Sequence, residues 1–132
     1  MTRVLVTGSN GQLGKSVQKI APNYPKLNFA FKNSGDMDIT DASSVKQIFA
    51  KSEYQYCINC AAYTNVEKAE SEPKKAFAVN AEGVKNLATT CREHGAILIH
   101  ISTDYVFDGE KTAPYTIHDK PNPINVYGAS KL

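Results

Sequence analysis

Apolar and polar positions along the chain change period several times, from alternation or short apolar runs to the 3.6-residue spacing of a helix and back. Arg3-Val4-Leu5-Val6-Thr7 is a β-branched-rich run that stops at Gly8, the pattern of a buried strand. From Gln12 the spacing turns helical, with Leu13, Val17 and Ile20 on one face, until Pro22 and Pro25 end it. Leu27 to Phe31 predicts a second strand, and Asp41 is placed to cap a helix carrying Val45, Ile48 and Phe49 as one stripe. Gln55 to Asn59 predicts a third strand. After a polar loop, Ser71-Glu72-Pro73 opens a long helix with Phe77, Val84, Leu87 and Cys91 along one side and Gly95 at its close. Ala96 to Ile101 is apolar for most of its length, which predicts a fourth strand in a parallel sheet covered on both faces. Residues 108–126 hold three of the six prolines and read as a loop, after which Tyr127-Gly128-Ala129-Ser130-Lys131 opens another helix.

This alternation predicts an α/β fold, a Rossmann-like doubly wound parallel sheet with right-handed crossovers. The 132 residues fit one domain. Because a helix begins at its last residues, the expectation is an incomplete domain, residues 1–132, cut before the later strands.

Composition excludes several classes. An apolar fraction of 42% with 21% charged residues is that of a folded globular chain. Fifteen basic against thirteen acidic side chains leave +2, too little for a dedicated nucleic-acid surface. No apolar run approaches the roughly 18–20 residues of a membrane span, and Met1 leads straight into a strand without a secretory pattern. The expectation is a cytoplasmic protein with neither nucleic-acid nor membrane partner. Three cysteines fit a reducing compartment. Cys57 and Cys60 form C-x-x-C, but on a strand residues three apart face opposite sides, so the pair reads as structural rather than as a redox or metal site.

The chemistry concentrates in two places. Gly8, Gly11 and Gly14, within Thr7-Gly8-Ser9-Asn10-Gly11-Gln12-Leu13-Gly14, form G-x-x-G-x-x-G between the first strand and first helix. Gly8 permits a tight turn, Gly11 lets backbone approach a pyrophosphate, and Gly14 allows close helix packing. A plain turn uses glycines too; the strand-to-helix placement favours dinucleotide binding. Tyr127 and Lys131 form Y-x-x-x-K, which a helix puts on one face, and an ammonium beside a phenol favours phenolate. An exposed helix start would read the same way. Thr103 ends the fourth strand at the carboxyl edge, where open α/β sheets bind ligands.

Together these segments resemble the extended short-chain dehydrogenase/reductases. With Asn59-Cys60-Ala61-Ala62-Tyr63-Thr64-Asn65-Val66-Glu67-Lys68-Ala69-Glu70, Ser102-Thr103-Asp104-Tyr105-Val106-Phe107-Asp108-Gly109 and Pro123-Ile124-Asn125-Val126-Tyr127-Gly128, the chain is similar to the dTDP-4-dehydrorhamnose reductases along essentially its whole length. The resemblance implies NADPH-dependent reduction of the 4-keto group of dTDP-4-dehydro-L-rhamnose to dTDP-L-rhamnose, for cell-surface polysaccharide. It also implies a further C-terminal substrate domain absent from these residues, so the 132 residues alone are expected to be inactive.

Carried over by motif, the resemblance assigns the cofactor to Gly8, Asn10, Gly11, Gln12, Leu13 and Gly14 at the pyrophosphate. Asp38 and Ile39 fall at the adenine, and Ala61, Ala62 and Tyr63 after the third strand. Thr103, Tyr127 and Lys131 match the catalytic triad: Thr103 polarises the ketone, Tyr127 protonates the alkoxide, and Lys131 binds the nicotinamide ribose. Asp104 and Tyr105 accompany Thr103 on the substrate side. Asn80 falls where related reductases place a helix asparagine that supports the lysine; a buried asparagine at a helix irregularity is the equal alternative. Lys32 stands where some members have an acidic residue for the ribose 2′-hydroxyl, which favours NADPH, with NADH as the alternative. Ser16 replaces a glutamate that helps some members bind magnesium between subunits. That departure leaves no metal expected and a homodimer as the assembly still open.

Two other readings share this frame. One is a non-enzymatic regulatory subunit like the methionine adenosyltransferase regulatory β subunit; the complete Thr103, Tyr127 and Lys131 set argues for an enzyme instead. The other is a different nucleotide-sugar reductase or epimerase.

Overall fold

A computed structural model describes all of residues 1–132. Four parallel strands, β1 (Thr2–Thr7), β2 (Leu27–Phe31), β3 (Tyr56–Asn59) and β4 (Ile97–His100), lie in the order β2-β1-β3-β4. The helices are α1 (Gln12–Ile20), α2 (Ala42–Lys51), α3 (Val66–Ser71), α4 (Pro73–Phe77), α5 (Val84–Glu93) and α6 (Val126–Lys131). The chain leaves β1 towards β2, then returns across β1 to β3, so the direction of winding reverses beside β1. Such a reversal opens a crevice at the carboxyl ends of the strands.

Alternation along the strands sorts the residues between two faces. Leu5, Cys57 and Leu98 share one register row and face α2 and α5, where Val45, Ile48, Phe49, Leu87 and Cys91 complete the core. Asp41 caps α2 as the sequence predicts, its carboxylate accepting from the Ser43 N–H at 2.9 Å. Cys57 and Cys91 sit together in this core, and their contact and burial hold the Cys57 thiol far above its ordinary value.

The opposite face is covered only in part. Val17 and Ile20 of α1 lean over Val4, Phe29, Ile58 and Ile99 and leave an apolar groove of about 440 Å³. Ile97, Ile99 and Ile101 are 56%, 42% and 43% exposed, so β4 is not covered on both faces as its apolar run predicts. A run of apolar residues reports what a strand is built to meet, and here α1 is the only helix on that side.

The predicted long helix is also interrupted. The polar loop before it contains α3, capped by Asn65 accepting from the Lys68 N–H at 2.9 Å. Between α4 and α5, residues Ala78–Gly83 form a π-turn. Its extra residue rotates the helix, so Ala76, Asn80, Gly83 and Leu87 face inward while Phe77 is exposed. Beyond α5, Gly95 takes a left-handed φ of 68°, which lets the Ala96 N–H reach back to the Cys91 carbonyl at 2.8 Å.

Candidate active site

The glycine turn builds one wall of the crevice. Gly8 has φ 60°, a conformation costly for other residues, and a side chain there would collide with the backbone of Cys60 and Ala61. A side chain at Gly14 would strike the backbone of Gly8 and Ser9. The turn and the start of α1 are therefore pressed against each other and against the loop after β3. Gly11 stands at the N-cap of α1 without a side-chain cap, so the first amides of the helix remain free for an anion.

The crevice has two connected parts that share Gly11, Cys60, Ala61 and Ala62. One, about 290 Å³, runs from Gly8, Asn10 and Gly11 past Asn33 and Ser34 to Met37, Asp38 and Ile39. The other, about 450 Å³, runs from Gly11, Gln12, Leu13 and Ser16 to Ser102, Tyr127 and Lys131. An elongated groove across the carboxyl edge of a parallel sheet, with free helix amides at its middle, fits the two halves of a dinucleotide about its pyrophosphate.

Tyr127 and Lys131 enter the groove from α6. Asn125 caps that helix, accepting from the Gly128 N–H at 2.7 Å, and Glu70 accepts from the Val126 N–H at 3.3 Å. Gly128 lies against the Tyr105 carbonyl, where a side chain would not fit. That approach sets the Tyr105 and Tyr127 rings edge to face, with centroids 5.7 Å apart. Lys131 is buried and donates to the Ile101 carbonyl at 2.6 Å; burial holds its ammonium below the ordinary lysine value.

Asn80 underpins this arrangement from the π-turn. Its side-chain oxygen accepts from the Tyr63 N–H at 2.8 Å, while its amide nitrogen donates to the Tyr63 carbonyl and to Ser130 Oγ, each at 2.9 Å. The asparagine thus serves a helix irregularity and also ties the loop after β3 to the residue before Lys131.

Not every residue singled out in the sequence lines the groove. Gly14 is packed beneath the turn. Lys32 is held by its backbone, which bonds Ser9 and Val6, and the groove wall beside it is Asn33 and Ser34. Tyr63 turns away to donate to Glu72 Oε2 at 2.7 Å. Thr103 caps a short 3₁₀ turn, accepting from the Tyr105 N–H at 3.2 Å, and its hydroxyl lies 3.4 Å from Asp104. Ser102, rather than Thr103, Asp104 or Tyr105, forms the wall next to Tyr127. Met37, Asn33, Ser34 and Ser102 were not singled out by the sequence motifs, and their adjacency to motif residues was the one available signal.

Glu72 also accepts from Lys75 at 2.8 Å and lies 3.7 Å from Lys68. The bonds from Lys75 and Tyr63 hold its carboxyl at about 2, and Glu72 in turn pushes the Tyr63 phenol up to about 12. A carboxyl depressed on folding contributes stability that is complete above its unfolded value of about 4.3 and is lost as pH falls towards the folded value. Glu72→Gln is expected to flatten the acid limb of Tm against pH in that window, followed by circular dichroism. An unchanged limb would remove Glu72 from the acid response.

The family model described as "RmlD substrate binding domain" matches residues 1–132. The chain is 44% identical to a dTDP-4-dehydrorhamnose reductase of Mycolicibacterium smegmatis, covering 98% of this chain and 39% of that protein. A crystal structure of a dTDP-4-dehydrorhamnose reductase from Clostridium acetobutylicum superposes with a TM-score of 0.94 at 41% identity, over 98% of this chain and 46% of that one. The Bacillus anthracis reductase in complex with NADP also gives 0.94, at 42% identity, over 99% and 47%. The chain therefore spans less than half the length of these relatives.

Proposed function

Since the chain belongs to the RmlD substrate binding domain family, we propose that it forms the cofactor-binding part of an NADPH-dependent reductase of dTDP-4-dehydro-L-rhamnose. The observation that carries this reading is the groove itself: the free α1 amides of Gln12 and Leu13 lie at one end of a cavity whose other end holds Tyr127 and Lys131. The NADP-bound relative supports the choice of cofactor.

NADPH supplies the hydride when bound. The residues of this chain then have separable tasks. The α1 amides hold the pyrophosphate, Asp38 and Ile39 flank the adenine end, and Ala61 and Ala62 form the floor between. Lys131 spends one hydrogen on the Ile101 carbonyl, which leaves two for a ribose hydroxyl and for the field at the phenol. Tyr127 delivers its phenolic proton to the substrate alkoxide as the C–H bond forms. Thr103 joins them once its long contact with Asp104 is exchanged for the ketone oxygen.

Fluorescence titration of the purified chain with NADPH and with NADH, beside NADPH oxidation by the complete protein on the dTDP-4-keto sugar, tests the reading. Binding of NADPH in preference to NADH, with sugar-dependent oxidation, is expected. Absence of binding, or binding without any oxidation by the complete protein, would overturn the enzyme reading.

A further inference from the structure

Thr7, Asn59 and His100 stand side by side across β1, β3 and β4 at the final register position of each ladder. They lie two residues beyond Leu5, Cys57 and Leu98, on the same face and immediately below the groove. Thr7 Oγ1 donates to Asn59 Oδ1 at 2.6 Å. The Ala61 N–H donates to that same oxygen at 3.1 Å and reaches Thr7 Oγ1 at 3.3 Å. On the other side, Asn59 Nδ2 is 3.2 Å from His100 Nδ1.

Every direction in this row is forced. A backbone N–H only donates, so the Asn59 atom facing Ala61 is its oxygen. The atom facing His100 is then the NH₂, which also only donates. Nδ1 of the ring must therefore hold a lone pair, and the ring hydrogen sits on Nε2. A doubly protonated ring would set donor against donor. Asn59 would have to turn, withdrawing its oxygen from Thr7 and Ala61.

We infer that His100 is a positioning residue: its unprotonated Nδ1 fixes the Asn59 amide, which in turn fixes Ala61 on the wall shared by both halves of the groove. The weight of this for cofactor binding rests on the reductase reading; the hydrogen-bond row does not. Burial, then the neighbouring Lys131 ammonium, hold the imidazole below its ordinary value. Lys131 of α6 is the charge acting on the ring. α5, packed on β4, turns Leu87, Thr90 and Cys91 inward, and β3 presents Cys57 and Asn59, none of them charged. The row is therefore intact at neutral pH and breaks as pH falls through the lowered histidine value.

Nitrogen and proton NMR of the chain without cofactor, titrated between about pH 5 and 8, tests this. The His100 ring is expected to carry its hydrogen on Nε2 at neutral pH. The Asn59 side-chain amide and the Ala61 N–H should shift with the same midpoint as the ring, and protection of Ala61 from exchange should fall roughly fivefold to tenfold, the weight of one hydrogen bond. In His100→Asn, whose Oδ1 replaces the Nδ1 acceptor, both signals should stay flat at full protection; in His100→Leu, which leaves the Asn59 NH₂ without its acceptor, they should stay flat with Ala61 roughly fivefold to tenfold less protected at every pH. A hydrogen on Nδ1 at neutral pH, or an Ala61 signal indifferent to the ring's titration, would overturn the inference. The tautomer is read on the unmutated chain, so a variant that fails to fold does not remove the decision. No cofactor enters the measurement, so a chain that binds no NADPH would sink the reductase reading and leave this result standing.

Discussion

On the proposed reading, Tyr127→Phe is expected to lower NADPH-dependent turnover by the complete protein by ~10²–10⁴-fold, the usual weight of a positioned general acid, while cofactor affinity stays nearly unchanged. Phenylalanine removes one oxygen and keeps the ring. The edge contact with Tyr105 remains, as does the close approach of Gly128 to the Tyr105 carbonyl. Lys131 is held independently by the Ile101 carbonyl, so the ammonium stays in the groove. The change therefore isolates the proton from the scaffold that presents it. Steady-state kinetics should show the loss in kcat, and fluorescence titration should show NADPH bound about as tightly as before. Turnover within a few-fold of the unmutated protein would exclude Tyr127 as the acid, and would move attention to Ser102, a hydroxyl on the wall of the same part of the groove.

The parts of this site legible in the sequence are those that local rules determine. Gly8 and Gly14 announce a turn because no side chain fits there, and the Y-x-x-x-K spacing announces a shared helix face. Asp41 announces a cap because a short carboxylate before a helix reaches the second amide of the turn. What escaped the sequence is set by partners far along the chain. Phe77 looks like a core residue at helical spacing, and only the π-turn at Ala78–Gly83 turns it outward. That turn is stabilised by Asn80 bonding to Tyr63 and Ser130, the latter fifty positions away. His100 reads as one more residue in an apolar strand until β3 is placed beside it and Asn59 comes opposite. Even Asn65, a recognisable cap, was lost in a loop whose helix α3 is only six residues long. Tyr63, assigned to the groove by motif, is captured instead by Glu72 from the next helix start.

Gly14→Ala is expected to abolish measurable NADPH binding and to destabilise the chain, although helix propensity alone predicts the opposite. Gly14 is inside α1, and alanine in place of glycine in a helix interior is ordinarily worth about 1 kcal/mol of stabilisation. Here the added methyl would meet the Gly8 carbonyl and the Ser9 backbone, neither of which can rotate away. Either α1 or the turn must move. Overpacking of this kind costs about 1–3 kcal/mol, a fall in Tm of roughly 4–12 °C for a chain of this size. The displacement falls on the peptide groups of the proposed pyrophosphate site, so binding is expected to suffer beyond the loss of stability. Gly95→Ala provides the comparison. That glycine is left-handed but has open space around it, so alanine there costs about 1 kcal/mol of backbone strain and leaves the groove untouched. Thermal melts followed by circular dichroism and NADPH titrations on both variants separate the two effects. A Gly14→Ala chain that melts higher than the parent and still binds NADPH would mean that the turn and α1 are not pressed together, and the pyrophosphate assignment would fall with that contact.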